Sequence, residues 1–271
     1  MTDLGWTPYP LPSRGVLYLK DPDSPESGSK LPGGKVEIRP FRGREQALLQ
    51  TQGGGIVGKL DAIIKTCTKF PDGFTSKDLL LTDRFAILLA QRTKTFGPIY
   101  QFQVRCESCK TQFQHTVDIV NDFSEVPGTD ELVEPFPVPL PESGITVHLR
   151  FLRGHDDEQI AKNAKRIKLQ SNDDHDPTYL LRIAMQIVRI ETEEGDEDTE
   201  RLKQLPWKQK WVENMSAGDL IALEDALNDK EPGIDTRIYP ECGRCGHTSE
   251  QTMPLDGGFF RPRRRTRSPN A

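Results

Sequence analysis

No apolar run in this 271-residue chain approaches the roughly 18 residues that a helix needs to cross a bilayer, so a membrane-spanning helix is excluded. Cysteine is scarce: there are five, four in two tight pairs and Cys67 alone. A secreted disulfide framework scatters its cysteines, so disulfides are not their expected use. Aromatic residues make up only 7%, too few for the stacking platforms that hold single-stranded nucleic acid. The net charge is −5, which is not the balance of a uniformly basic nucleic-acid binder. Residues Met1–Pro12 lack the basic and apolar regions of a signal peptide, so folding in a reducing cytoplasm is expected.

Catalytic signatures are missing too. His115, His148, His155, His175 and His247 are scattered, and none stands in an H-E-x-x-H or G-x-S-x-G setting. Gly53-Gly-Gly55 invites a phosphate loop, but Gly58-Lys59 leads to Leu60 instead of Ser or Thr, and a flexible helix entry is the simpler reading. The expectation is a binding or scaffolding protein, not an enzyme.

The residues present are lean in apolar character: 35% hydrophobic, with a mean hydropathy of −0.60. Residues 191–200 form an acidic run and the C-terminus is an arginine cluster. Each reads most simply as a solvated segment. Cys67 fits a buried small hydrophobe on an amphipathic helix.

The chain repeats itself. Val36–Arg44 (VEIRPFRGR) matches Val147–His155 (VHLRFLRGH) at an offset of 111. Asp83, Gly97, Cys106 and Cys109 match Asp219, Gly233, Cys242 and Cys245 at an offset of 136. The second copy therefore carries extra residues in its middle, where the acidic run and LKQLPWKQKW lie. Each copy reads as a strand, an Arg-Gly turn, helices and a strand pair around C-x-x-C. Helices are expected over 56–67, 84–92, 156–168, 178–190 and 216–228. Asp83 and Asp219 are expected to cap helix starts, and Gly97 and Gly233 to end helices. The fold class is α+β, built from internally duplicated strand–helices–knuckle units related by a pseudo-twofold. The expected segments are an extended arm over 1–34, a first repeat over 35–125, a proline-rich linker over 126–144, a second repeat over 145–260, and a basic tail over 261–271. The arm, with Trp6, Tyr9 and Tyr18, and the tail, with Arg263, Arg264 and Arg265, are expected to bind partners.

Zinc favours four tetrahedral ligands, and thiolates suit structural sites. One C-x-x-C turn supplies two sulfurs and leaves half the shell empty. Cys106, Cys109, Cys242 and Cys245 together would complete a zinc ribbon split by a long insertion. A redox pair, a metal-free cysteine group, or His247 replacing a thiolate are competing readings, but neither pair opens a helix as redox motifs do. Lys110 is expected in a mildly strained backbone position where Gly246 follows the second pair.

Several motifs then fall in a familiar order. They are Ser13-Arg-Gly-Val-Leu-Tyr18, Val36–Glu45 as V-x-I-R-P-x-x-G-x-E, Asp83-Arg84, the first C-x-x-C, Gly233-Ile-Asp235, the second C-x-x-C, and Pro254–Pro262 as P-L-D-x-x-F-F-x-P. Across about 35–262 the chain resembles the baseplate hub proteins of contractile-tailed bacteriophages, the T-even gene twenty-six family. The N-terminal arm, acidic insertion and arginine tail depart from that pattern. The resemblance implies a structural component of the tail baseplate, at its hub or inner part, or an assembly factor for it. It would be located in the virion, and in host cytoplasm during assembly. Other tail and baseplate proteins would be its partners, with no small-molecule substrate, membrane or nucleic acid. A zinc-ribbon nucleic-acid or transcription-associated protein, with the arginine tail on phosphate, is the alternative.

Overall fold

A computed structural model of the chain describes residues 5–19, 29–50, 56–170, 176–192, 195–196, 199–254 and 259–260. In the first half, β1 (Thr7–Pro10), β2 (Lys35–Ile38), α1 (Gly43–Gln50), α2 (Ile56–Cys67), β3 (Thr68–Lys69) and α3 (Leu81–Phe96) lead into the hairpin β4 (Ile99–Arg105) and β5 (Gln112–Asp118). After β6 (Ser124–Val126), the second half runs β7 (Phe136–Pro139), β8 (Thr146–Leu149), α4 (Gly154–Gln170), α5 (Thr178–Gln186), β9 (Ile187–Thr192), β10 (Gly195–Asp196), α6 (Thr199–Leu202), α7 (Leu205–Glu213) and α8 (Ala217–Lys230). It closes with β11 (Gly233–Asp235), β12 (Arg237–Ile238) and β13 (Gln251–Thr252).

Several strand pairings recur in the two halves. β1-β2-β3 form one antiparallel sheet, and β7-β8-β9 form its counterpart, extended by β10. Thr7 pairs with Ile38 and Tyr9 with Val36; Phe136 pairs with Leu149 and Val138 with Val147. In β4–β5, Gln101 pairs with Thr116 and Phe102 with His115. Adding 136 to these four numbers gives the β12–β13 register, Arg237 with Thr252 and Ile238 with Gln251.

Two expectations are corrected here. The described residues of the expected arm, 5–19 and 29–34, do not all lie outside the core: Leu11, Tyr18 and Leu31 are buried in the main hydrophobic cluster. Residues 126–144 are not a bare linker, because they contribute β7. Both segments hold proline at every second position, and proline is tolerated on the edge strand of a sheet, where its missing N–H goes unused. Pro8, Pro10, Pro137 and Pro139 point outward, while Phe136 and Val138 point in. The two segments then run in parallel sequence, Tyr9-Pro-Leu-Pro-Ser-Arg-Gly15 and Val138-Pro-Leu-Pro-Glu-Ser-Gly144. Gly15 and Gly144 both turn with positive φ, at 79° and 71°.

The helix boundaries also differ in places. The expected helix over 178–190 ends at Gln186, because β-branched Ile187, Val188 and Ile190 continue as β9 beside β8. Gly97 ends α3 with φ 85°, but Gly233 lies inside β11, and α8 stops earlier at Lys230. Asp83 sits in the first turn of α3 and accepts from elsewhere: Ser13 N at 3.0 Å, Ser13 Oγ at 2.5 Å and the Tyr18 hydroxyl at 2.5 Å. Asp219, its counterpart, accepts from Glu142 N at 2.8 Å and Ser143 N at 3.2 Å. Each carboxylate thus anchors the Pro-Leu-Pro turn of its own half.

A buried ion pair repeats as well. Arg39 meets Glu45 at 3.1 Å, with both side chains 2% exposed, and Arg42 N donates to Glu45 Oε2 at 2.7 Å. Arg150 meets Asp156 at 2.7 Å, and Arg153 N donates to Asp156 Oδ2 at 2.8 Å. The equivalent residues stand 111 apart throughout. Each fork fixes the turn from strand to helix, because removing one partner would strand a buried charge.

The halves join at a place used once. Leu81 N donates to Leu152 O at 3.0 Å, and Gly154 N to Leu79 O at 2.9 Å. Gly154 is required there, since a Cβ would meet Ser76 O at 2.8 Å. Leu80 and Arg153 form a bridge, whereas none links their counterparts Ser216 and Arg42 among the described residues.

Two predictions follow from this packing. Burial alone would push the Glu45 carboxyl up, but Arg39, the Arg42 amide and Arg44 hold it down at about 2, against an ordinary 4.5. Its stabilisation is complete above about pH 4.5 and is lost as pH falls towards 2. Urea unfolding across that range should show a steep acid loss for the native chain and a flatter one for Glu45→Gln, which should be less stable by about 3–5 kcal/mol at pH 7. The second concerns the arm. The Tyr18 hydroxyl also accepts from Leu80 N at 2.9 Å, so Tyr18→Phe leaves a buried N–H unpaired. Urea unfolding should show a loss of about 1–3 kcal/mol; an unchanged midpoint would restore the arm to the exterior.

Candidate metal centre

The hairpins β4–β5 and β12–β13 carry the cysteines at their tips. In β4 Tyr100, Phe102 and Val104 are buried on one face, and Val117 of β5 joins them. This alternation anchors the hairpin stem in the core and leaves the tip free to present sulfur. Both tips close with the same hydrogen bonds: Cys106 N to Thr111 O at 2.9 Å and Lys110 N to Cys106 O at 3.0 Å; Cys242 N to His247 O at 2.9 Å and Gly246 N to Cys242 O at 2.8 Å. Lys110 has φ 59° and Gly246 φ 69°, so the strained lysine read from the sequence is present.

The four Sγ atoms lie within 4.8 Å of one another. Cys106 Sγ is 3.6 Å from Cys245 Sγ, and Cys109 Sγ is 3.6 Å from Cys242 Sγ. A disulfide would need about 2.05 Å. Four sulfurs at about 2.3 Å around a tetrahedral metal would stand roughly 3.8 Å apart. The cluster therefore fits a bound ion and not a pair of disulfides. Each close contact crosses between the hairpins, and exchanging the halves turns one contact into the other. Arg244 Nη1 also reaches across, to Thr111 Oγ1 at 3.0 Å. His247 is exposed and stands outside the sulfur group.

The clustered thiols affect one another's ionisation. Hydrogen bonds from Thr111, side chain and backbone, hold the Cys109 thiol down at about 6. The His247 amide favours a thiolate at Cys245 as well, but the neighbouring Cys109 sulfur and then burial and Cys106 push it up to about 11. Without a positive charge between them, one ionised sulfur keeps the proton on the opposite one. A metal ion removes that conflict.

The other expected site residues fall elsewhere. Tyr18 is buried on Asp83 and serves the fold of its own chain. Trp6 is half-buried, with Lys69 Nζ 4.5 Å and Arg39 5.6 Å from its ring centre. Tyr9 is half-buried in β1, where burial, and after it the Glu125 and Asp83 charges, pushes its hydroxyl above the usual tyrosine range. Arg263, Arg264 and Arg265 lie outside the described residues. Sequence reading missed the anchoring roles of Asp83 and Asp219, although the matched Pro-Leu-Pro-x-x-Gly segments carried the signal. The buried forks Arg39–Glu45 and Arg150–Asp156 were also missed; their trace is an acidic residue six positions after the repeated arginine.

A mixed α and β chain whose distant hairpins converge on four cysteines able to hold a metal ion is the class defined by this fold and site. The chain belongs to the T4 bacteriophage base plate protein family, whose model matches residues 24–260. No curated protein and no solved structure gives a match. Membership makes it a phage baseplate protein and implies a place in the tail among other tail proteins.

Elemental analysis of the reduced, purified protein should find one metal ion per chain. Cys106→Ser should lower the metal content and the thermal midpoint together, because three thiolates leave the shell incomplete. Cys67→Ala should keep the metal, since Cys67 is buried on α2, away from the cluster.

Proposed function

We propose that this chain is a non-enzymatic structural component of the contractile tail baseplate, at its hub or inner part or in its assembly, and that a structural zinc staples its halves. The observation that carries this reading is the crossing of sulfur contacts between hairpins 133 and 139 residues apart in the chain. Four thiolates fill a tetrahedral zinc and leave no position for a water or substrate, so the ion acts as a cross-link. Such a cross-link contributes on the order of 10 kcal/mol to folding, which matters to a lean core. The chain is read as an internal duplication, supported by the matched strand registers, carboxylate anchors and ion-pair forks. The two copies meet at the sulfurs around an approximate twofold that the Leu80–Arg153 junction does not share.

Mass spectrometry and zinc analysis of purified particles and of tail-assembly intermediates test this together. The chain is expected in at least one of them at fixed stoichiometry with one zinc per copy. Absence from both would overturn the baseplate role, while another metal at the sulfurs would overturn the zinc alone. Salt-dependent duplex binding by the free protein would instead favour a nucleic-acid role, with a slope that counts phosphate contacts.

A further inference from the structure

A cleft of about 520 Å³ in the second half opens beside Asp219. Leu140, Glu142, Trp207, Trp211, Met215 and Asp219 line it. Trp207 and Trp211 stand four positions apart on α7, so they form one aromatic wall, and both are half-buried.

The first half shows what belongs there. Gly15 and Gly144 are 129 apart, yet Gly34 and Ile145 are 111 apart, so the first half carries 18 residues between turn and strand that the second lacks. In the first half those extra residues supply Tyr18. Its hydroxyl donates to Asp83 Oδ2 at 2.5 Å and accepts from Leu80 N at 2.9 Å. Its ring stands edge-on to Phe74, with centres 5.1 Å apart. In the second half the equivalents of Asp83, Leu80 and Leu11 are Asp219, Ser216 and Leu140, and all three line the cleft. Ser216 N, in the place of Leu80 N, has no hydrogen-bond acceptor among the described residues. Asp219 lies below the usual carboxylate range because the Glu142 and Ser143 amides, with the Ser143 and Ser216 hydroxyls, outweigh its burial, so it is an acceptor at neutral pH. Gly144 leads directly into Ile145, so the turn offers no side chain of its own to fill the space.

From this pairing we infer that the cleft beside Asp219 is a docking site for a tyrosine side chain supplied by an extended apolar segment of another protein. The phenol takes the place that Tyr18 takes in the first half: its hydroxyl bridges Asp219 and Ser216 N, and its ring lies against Trp207 and Trp211. Buried tyrosine suits such a site because it brings a large apolar face with one polar tip. The inference rests on the matched geometry of the two halves and not on the baseplate or zinc reading.

The test uses the full, metal-loaded chain with indole resonances assigned to Trp6, Trp207 and Trp211. The probe is an acetylated, amidated pentapeptide of sequence Val-Leu-Tyr-Leu-Lys, that of residues 16–20, alongside the same peptide with phenylalanine for tyrosine. The tyrosine peptide should shift the Trp207 and Trp211 signals saturably and leave Trp6 unmoved. The phenylalanine peptide should bind at least tenfold more weakly. Trp211→Ala and Met215→Glu should each weaken the tyrosine peptide by a similar factor while the Trp6 signal reports an intact fold. No saturable shift would overturn the inference. Equal binding of both peptides would overturn it too, by revealing an apolar groove blind to the hydroxyl. A shift of the two indoles on deleting residues 261–271 would overturn it by assigning the cleft to the chain's own tail.

Discussion

Four sulfur atoms from two hairpin tips must share a space less than 5 Å across, and the rest of the chain is arranged so that they can. Each hairpin has to leave the core at a fixed angle, and that angle is set well away from the sulfurs. Phe102 and Val104 hold the first stem from beneath, and Ile238 and Met253 hold the second. Arg92 reinforces the first stem: its guanidinium donates to Gly97 O and Ile99 O and lies near the Tyr100 and Phe259 rings. It has no carboxylate within ion-pair distance among the described residues, so carbonyls and ring faces carry its charge. Burial lowers its pKa, yet an arginine stays charged in such a setting.

The carboxylates Asp83 and Asp219 do comparable work at the other end. Both are nearly inaccessible, and each takes an amide from the Pro-Leu-Pro turn of its half. Their surroundings push them in opposite directions: burial raises Asp83 despite Ser13 and Tyr18, while the amides at Asp219 outweigh its burial. The difference follows from what covers them. Asp83 lies beneath the extra residues of the first half, and Asp219 faces an open cleft.

The two cysteine pairs that come together and the alternation of β4–β5 were legible in the sequence because each depends on local spacing alone. So were the ranges of α2 and α4 within a few residues. The edge strands β1 and β7 were not, because proline at alternate positions suggests a linker until a neighbouring strand is known to need only its other side. Tyr18 was assigned to a partner for a related reason: without periodicity, nothing in the sequence says that its hydroxyl has a carboxylate 65 residues away. The helix α7 was hidden inside the insertion. Its lysines dilute the apolar face, although Lys208 is buried, with Nζ 2.9 Å from Ile187 O, and burial lowers it to about 8.

The two knuckle tips reach one backbone shape by opposite routes. At Gly246 the left-handed turn is free of strain in the folded chain, and its cost lies in the wider freedom that glycine has when unfolded. At Lys110 the unfolded chain is already more restricted, and the cost is steric, about 1–2 kcal/mol in the folded turn. An entropic cost grows in proportion to absolute temperature, whereas a steric one hardly changes. Heating therefore weighs on the second tip more than on the first, and the symmetry of the sulfur cluster conceals two hairpins with different thermal characters.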